Sequence, residues 1–217
     1  MPPARAFIAD IYSDAGAGQQ AVLEAIRGVD KHVVSDEPWA SVYYWYISED
    51  PNDGTVYGLE EYETEKHHLE GHNTSKPFLH LVDTVGKSSS KENKLKLEYL
   101  EPVLGFTERS GPTKAGVVRV ERITTTSSQM DAVLDQLKPF ALHVEQNEPG
   151  TQSFFVYKSR ESPDQIVIFE RFETKAGLEA HLQSEVRKKL DDQLASVIKG
   201  KTADCFKEAG IGFMKRH

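Results

Sequence analysis

Glu148-Pro149-Gly150-Thr151-Gln152-Ser153-Phe154-Phe155-Val156-Tyr157 decides the reading of this chain, because the chain carries the stretch twice. It continues through Ile166-Val167-Ile168-Phe169-Glu170-Arg171-Phe172-Glu173-Thr174, Leu178 and His181-Leu182-Gln183-Ser184. The earlier copy reads Glu37-Pro38-Trp39-Ala40-Ser41-Val42-Tyr43-Tyr44-Trp45-Tyr46. Val56-Tyr57-Gly58-Leu59-Glu60-Glu61-Tyr62-Glu63-Thr64, Leu69 and His72-Asn73-Thr74-Ser75 follow. The offset slides from 111 to 110 to 109, so two single-residue length changes separate the copies. A period this long is that of a domain, not of a solenoid repeat. Two copies of one domain are expected, over 1–101 and 115–217. Residues 102–114 would join them, punctuated by Pro102, Gly105, Gly111 and Pro112.

Each half predicts the same elements in the same order. In the first, Ala4 to Tyr12 is apolar and β-prone. Ala21, Val22, Ala25, Ile26 and Val29 fall at helical spacing within 16–34. Trp39 to Ile47 and Thr55 to Tyr62 read as a hairpin around Asp50-Pro51-Asn52-Asp53-Gly54, with Gly54 free to take φ > 0. Thr64 is placed to cap a short helix through Gly71, Ser75 to Val85 is a further helical piece, and Leu95 to Leu100 is a fourth strand. The second half gives strands over 116–123, 151–157, 165–172 and 203–214. Its helices cover 128–144, with Pro139 as a kink or break, and 174–198, broken near Ser184. The order is β-α-β-β-α-β, the ferredoxin-like arrangement. The hairpin strands are apolar at odd and even positions alike, so both sheet faces are expected to be buried. One face would meet the half's own helices and the other a second sheet. The fold class is therefore α+β: two ferredoxin-like halves packed sheet to sheet as an intrachain, pseudo-dimeric α/β barrel.

Composition excludes several function classes. The net charge is −8, with 9 Lys and Arg against 18 Asp and Glu over 1–101, and 17 against 16 over 102–217. No basic stripe offers a nucleic-acid or anionic-membrane surface. No apolar run is long enough for a membrane span, and Met1-Pro2-Pro3-Ala4-Arg5 lacks a signal-type core. One cysteine, Cys205, allows no intrachain disulfide. A cytoplasmic protein is expected, monomeric as a pseudo-dimer or homodimeric, taking a small-molecule substrate and O2.

The pattern Glu-Pro-Gly, aromatic strand, turn, aromatic-Glu-x-aromatic, Leu and His-x-x-Ser resembles the antibiotic biosynthesis monooxygenase domain family. The second half carries it at Glu148, Pro149, Gly150, Glu170, Phe172, Leu178, His181 and Ser184. The first departs at Trp39, where the family has Gly, and by one extra residue within 65–68. The resemblance implies a dimeric α/β barrel, here fused in one chain, and a place in secondary metabolism. It also implies oxygenation of a quinol- or anthrone-like aromatic by O2 with no metal or organic cofactor. Relatives that degrade haem, and non-catalytic ligand-binding barrels, give the two other readings.

Cofactor-free oxygenation needs a base, a partner for the developing oxyanion and a dry aromatic slot. His72 is the candidate base, Asn73 the group for the enolate oxygen, and Trp45 the catalytic aromatic. Tyr43, Tyr57, Gly58 and His68 complete the expected substrate site. Gly58 stands where the second half has Ile168, so a side chain is missing from that face. Phe154 and Val156 replace Tyr43 and Trp45 there, which reads as filled core, so a single pocket in the first half is expected. The competing reading makes His72 and His181 structural, bonded to Ser75 and Ser184 at helix ends. His68 and His72 share a helix face, but no third ligand accompanies them, and no metal is expected.

Overall fold

A computed structural model describes residues 5–108 and 114–216. Ala4, and Gly111 and Pro112 of the expected connection, lie outside the described residues, as do the other N-terminal residues before Arg5. The chain divides into two compact units: residues 1–100 with 206–217, and residues 101–205.

The first unit holds β1 (Arg5–Ile11), α1 (Ala17–Asp36), β2 (Ala40–Ser48), β3 (Val56–Tyr62) and α2 (Lys76–Ser88). It also takes the start of β4 (Leu95–Phe106) and the end of β8 (Gly200–Phe213). β1 pairs antiparallel with β3 and β4, and β2 with β3 and β8. The order β4-β1-β3-β2 is ferredoxin-like, with β8 added beside β2. Val22, Ile26, Val29 and Val33 put one stripe of α1 against Phe7, Tyr43, Trp45 and Tyr62 on the sheet. Ser75 starts α2 by accepting from the Phe78 amide.

The second unit takes the end of β4, then β5 (Val117–Thr124), α3 (Met130–Asn147), β6 (Thr151–Ser159) and β7 (Gln165–Phe172). α4 (Lys175–Gln183), α5 (Glu185–Leu194) and the start of β8 complete it. β7 pairs antiparallel with β5 and β6. α3 runs past Pro139 to Asn147 without ending. Ser184 breaks the next helical stretch and caps α5 from its own side chain.

Three sequence expectations change. Residues 102–106 are not connection but the second half of β4. Both fourth strands are longer than the pattern suggested, because each spans two units: β4 passes from one to the other after Leu100, and β8 after Cys205. Gly54 does not use positive φ. A Cβ there would run into the Ser13 carbonyl and the Ala15 amide, so the glycine is needed for close backbone approach.

Candidate functional site

A cavity of about 330 Å³ lies in the first unit, between the helix-facing side of its sheet and α2. Strand alternation aims Phe7, Ala9 and Ile11 of β1 into it, together with Tyr43 and Trp45 of β2 and Glu60 of β3. Phe7 to Ile11 spans roughly 13 Å of strand. At one end Glu60, His68 and His72 are buried. At the other, Val82, Gly86 and Leu95 are exposed, and Lys94 donates to the Gly86 carbonyl across 2.5 Å.

His72 owes its place to a local irregularity. From Thr64 to His72 the first half has one residue more than the second has from Thr174 to His181. That residue is absorbed as a π-helical turn, His67–Gly71, followed by a 3₁₀ turn, His72–Thr74. Such bulges recur at functional sites. His72 Nδ1 lies 2.9 Å from Glu37 Oε2, with both side chains 2% exposed. The carboxylate holds Nδ1 as the N–H side, which leaves Nε2 to accept a proton. The second half keeps the pair as His181 and Glu148, at 2.7 Å. Both histidines end a helical turn, their carbonyls accepting from the Ser75 and Ser184 amides, while their rings bond the glutamates of the Glu-Pro motifs.

Five of the seven expected site residues line the cavity: His72, Asn73, Trp45, Tyr43 and His68. Asn73 Oδ1 and His68 Nδ1 are buried without a hydrogen-bond partner among the described residues, and the buried Tyr43 hydroxyl interacts with Trp45. The His68 ring packs between Phe7, 4.8 Å away, and Tyr62, 5.0 Å away. Burial first, then the neighbouring His72 and Arg5, lowers its pKa to about 3, so it is neutral. Its ring stands 6.1 Å from that of His72. Among the described residues, no three His, Cys, Asp or Glu are grouped to hold a metal ion.

Tyr57 and Gly58 do not line the cavity. Tyr57 has the opposite strand parity and stacks on Tyr46 at 5.7 Å, with its hydroxyl donating to Asp53. Gly58 faces the right way but opens no gap. It pairs with Trp45, and a Cβ there would sit 2.7 Å from the indole. The missing side chain makes room for Trp45, and the tryptophan walls the cavity.

Glu37 and Glu60 are functional candidates that the sequence argument passed over. Glu60 pairs with Tyr43 across the hairpin and accepts from the Tyr62 hydroxyl at 2.5 Å. Burial raises its pKa, against the opposing pull of His72 and Tyr62. Its signal was parity: a carboxylate on the same face as Gly58 and Tyr62. Glu37 could have been found by its recurrence as Glu148.

The matching positions of the second unit are filled by charge. Arg119 pairs with Glu170 as Phe7 pairs with Glu60. Glu121 stands opposite Ile168 as Ala9 stands opposite Gly58. Arg187 follows Ser184 as Phe78 follows Ser75. Arg119 bonds Glu121 at 2.7 Å and also Glu170, and Arg187 bonds Glu121 at 2.7 Å. All four are buried. Burial opposes the charge on His181, but Glu148 and Glu170 outweigh it and raise its pKa to about 9.

Residues 116–192 match the antibiotic biosynthesis monooxygenase family. The match covers most of the second half. The first half repeats its fold and motif, so the chain is a tandem pair in which the family match falls on the half closed by ion pairs. A candidate monooxygenase from Fusobacterium nucleatum subsp. nucleatum ATCC 25586 superposes with a TM-score of 0.84 at 12% identity, over 100% of this chain and 98% of its own. One from Lactobacillus acidophilus NCFM gives 0.81 at 12%, over 99% and 98%. An anthrone oxidase-like protein gives 0.63 at 16%, over 95% and 94%. At these identities the likeness is one of fold. No curated protein matches the sequence. No helix among the described residues is long and apolar enough to cross a membrane.

Proposed function

We propose that the first half is a monooxygenase site that oxygenates a small, electron-rich aromatic of quinol or anthrone type with O2, without metal or organic cofactor. One observation carries the reading: a buried Glu37–His72 pair opens on an apolar cavity of about 330 Å³. The family name of the second half and the names of the structural relatives agree with it.

His72 Nε2 takes the proton from an acidic C–H or phenol, with Glu37 fixing the ring and balancing the imidazolium. The carbanion passes one electron to O2. The resulting radical pair combines as a hydroperoxide, which loses water and leaves a carbonyl. Trp45 and Phe78 flank a flat ring, and Asn73 Oδ1 accepts from a substrate hydroxyl. The largely apolar wall excludes water from the carbanion. In the second half Arg119, Glu121 and Arg187 stand at the positions of Phe7, Ala9 and Phe78, and the His181–Glu148 pair borders a different cavity, of about 380 Å³.

An oxygen electrode with 1,8-dihydroxyanthrone and substituted hydroquinones tests the reading. The expected result is enzyme-dependent uptake of one O2 per anthrone oxidised. Uptake no faster than buffer across the panel would overturn it.

A further inference from the structure

Glu60 is a buried acid without the arginines that surround its counterpart. Its counterpart Glu170 bonds Arg119, lies 3.2 Å from His181 Nε2, and shares its network with Arg187. In the first half the place of Arg119 is Phe7 and that of Arg187 is Phe78, and both phenylalanines line the cavity. No basic side chain among the described residues forms an ion pair with Glu60, whose side chain bonds Tyr62. A bare carboxylate in such a place is costly to bury, and the neutral acid is the form burial favours. A hydrocarbon side chain would fill the same space at lower cost, so retention of an acid here marks a functional group.

We propose that Glu60 serves the cavity as a neutral carboxylic acid whose O–H donates to a carbonyl or enolate oxygen of the ligand. The site thereby selects ketones and their enols over hydrocarbons of the same shape. Tyr62 donates to Oε2, which leaves Oε1 to carry the proton. Tyr43, opposite Glu60 in the hairpin, and Trp45 line the same wall, where their side chains interact with each other. The titratable groups that face Glu60 are His72 from the turn before α2, Glu37 from the end of α1, Tyr43 from β2 and Tyr62 from β3. Burial favours the neutral form and Glu37 adds to it, while His72 and the Tyr62 hydrogen bond favour the ionised one.

The inference rests on the reading of this cavity as a ligand site, but its test does not use turnover. Fluorenone and fluorene differ by the carbonyl alone, and binding of each to the full chain is followed by tryptophan fluorescence quenching from pH 5 to 9. The wild type should bind fluorenone about tenfold more tightly than fluorene at low pH, as expected for one buried hydrogen bond. The preference should fall as pH rises and Glu60 ionises, because a carboxylate cannot donate. Glu60→Gln keeps a donor and should keep the preference at every pH. Glu60→Leu should abolish it, with folding confirmed by its circular dichroism spectrum. Equal binding of both probes to the wild type, a preference that survives in Glu60→Leu, or a pH dependence that persists in Glu60→Gln each overturns the proposal. Binding of neither probe overturns it together with the cavity reading. Probe selectivity without oxygen uptake sinks the monooxygenase reading alone.

Discussion

Gly58 and Trp45 form a size-matched pair across the hairpin, and exchanging their sizes gives a decisive stability experiment. Their register equivalents in the second half are Ile168 and Val156. Gly58→Ile alone places a Cβ 2.7 to 2.9 Å from three indole carbons of a tryptophan that is 1% exposed. Overpacking of this kind costs roughly 1–3 kcal/mol. Replacing a strand glycine returns roughly 0.5–1 kcal/mol of backbone entropy. The net loss should be about 1–2 kcal/mol. Trp45→Val alone leaves the space unfilled, at about 3–5 kcal/mol. If the two acted independently, the double variant would lose about 4–7 kcal/mol. It should instead approach the Val–Ile packing already present in the second half. A favourable coupling of about 2–3 kcal/mol is then expected, within the range for residues in contact. Urea unfolding of the wild type, both single variants and the double variant measures all four corners of the cycle. Losses that simply add, to within about 0.5 kcal/mol, would refute the packing argument.

Four further outcomes follow from the same geometry. His72→Ala should lower oxygen uptake by about two to four orders of magnitude, while His181→Ala leaves uptake nearly unchanged; equal effects would place the chemistry elsewhere. Anthrone oxidation by wild type should continue after exhaustive chelation, and activity that vanishes and returns with added iron would rule out the metal-free reading. Because the pKa of His181 is raised to about 9 from 6.5, its contribution to stability is complete below pH 6.5 and is lost as pH rises through 9. That loss amounts to about 3 kcal/mol. Thermal unfolding between pH 6 and 10 should show the decline and His181→Leu should flatten it, whereas an unchanged slope would remove His181 as the cause. A fragment of residues 1–101 lacks Ile211, part of the first core, and should not give a stable monomer by circular dichroism and sedimentation.

The repeat and the two-period hydrophobic pattern made the fold legible, since sheet faces and helix stripes are written locally. Tyr43, Trp45 and His72 were legible as cavity residues for the same reason. Tyr57 was misplaced although strand alternation already sets it on the face opposite its neighbour Gly58. Gly58 was recognised as a missing side chain, but local sequence did not show that Trp45 crosses the strand to occupy the space. Glu37 lies 35 residues before the histidine it holds, a separation no local pattern bridges. Glu60 was hidden in plain view: read as part of a shared motif, it drew no question about which cations its copy has and it lacks.

The division of β8 fixes an order of assembly during synthesis. Its last residues belong to the unit that begins the chain. Ile211 pairs with Trp45, and Arg216 donates to the carbonyls of Val33 and Glu37 at 2.7 and 2.8 Å. The backbone of the residue that holds His72 is thus tied down by a side chain made only after the whole of the second unit. The cavity-bearing unit waits, unfinished, for the whole of the other unit to be made. A stop codon directly after Cys205 would leave every candidate catalytic side chain in the product and still remove the brace beneath them.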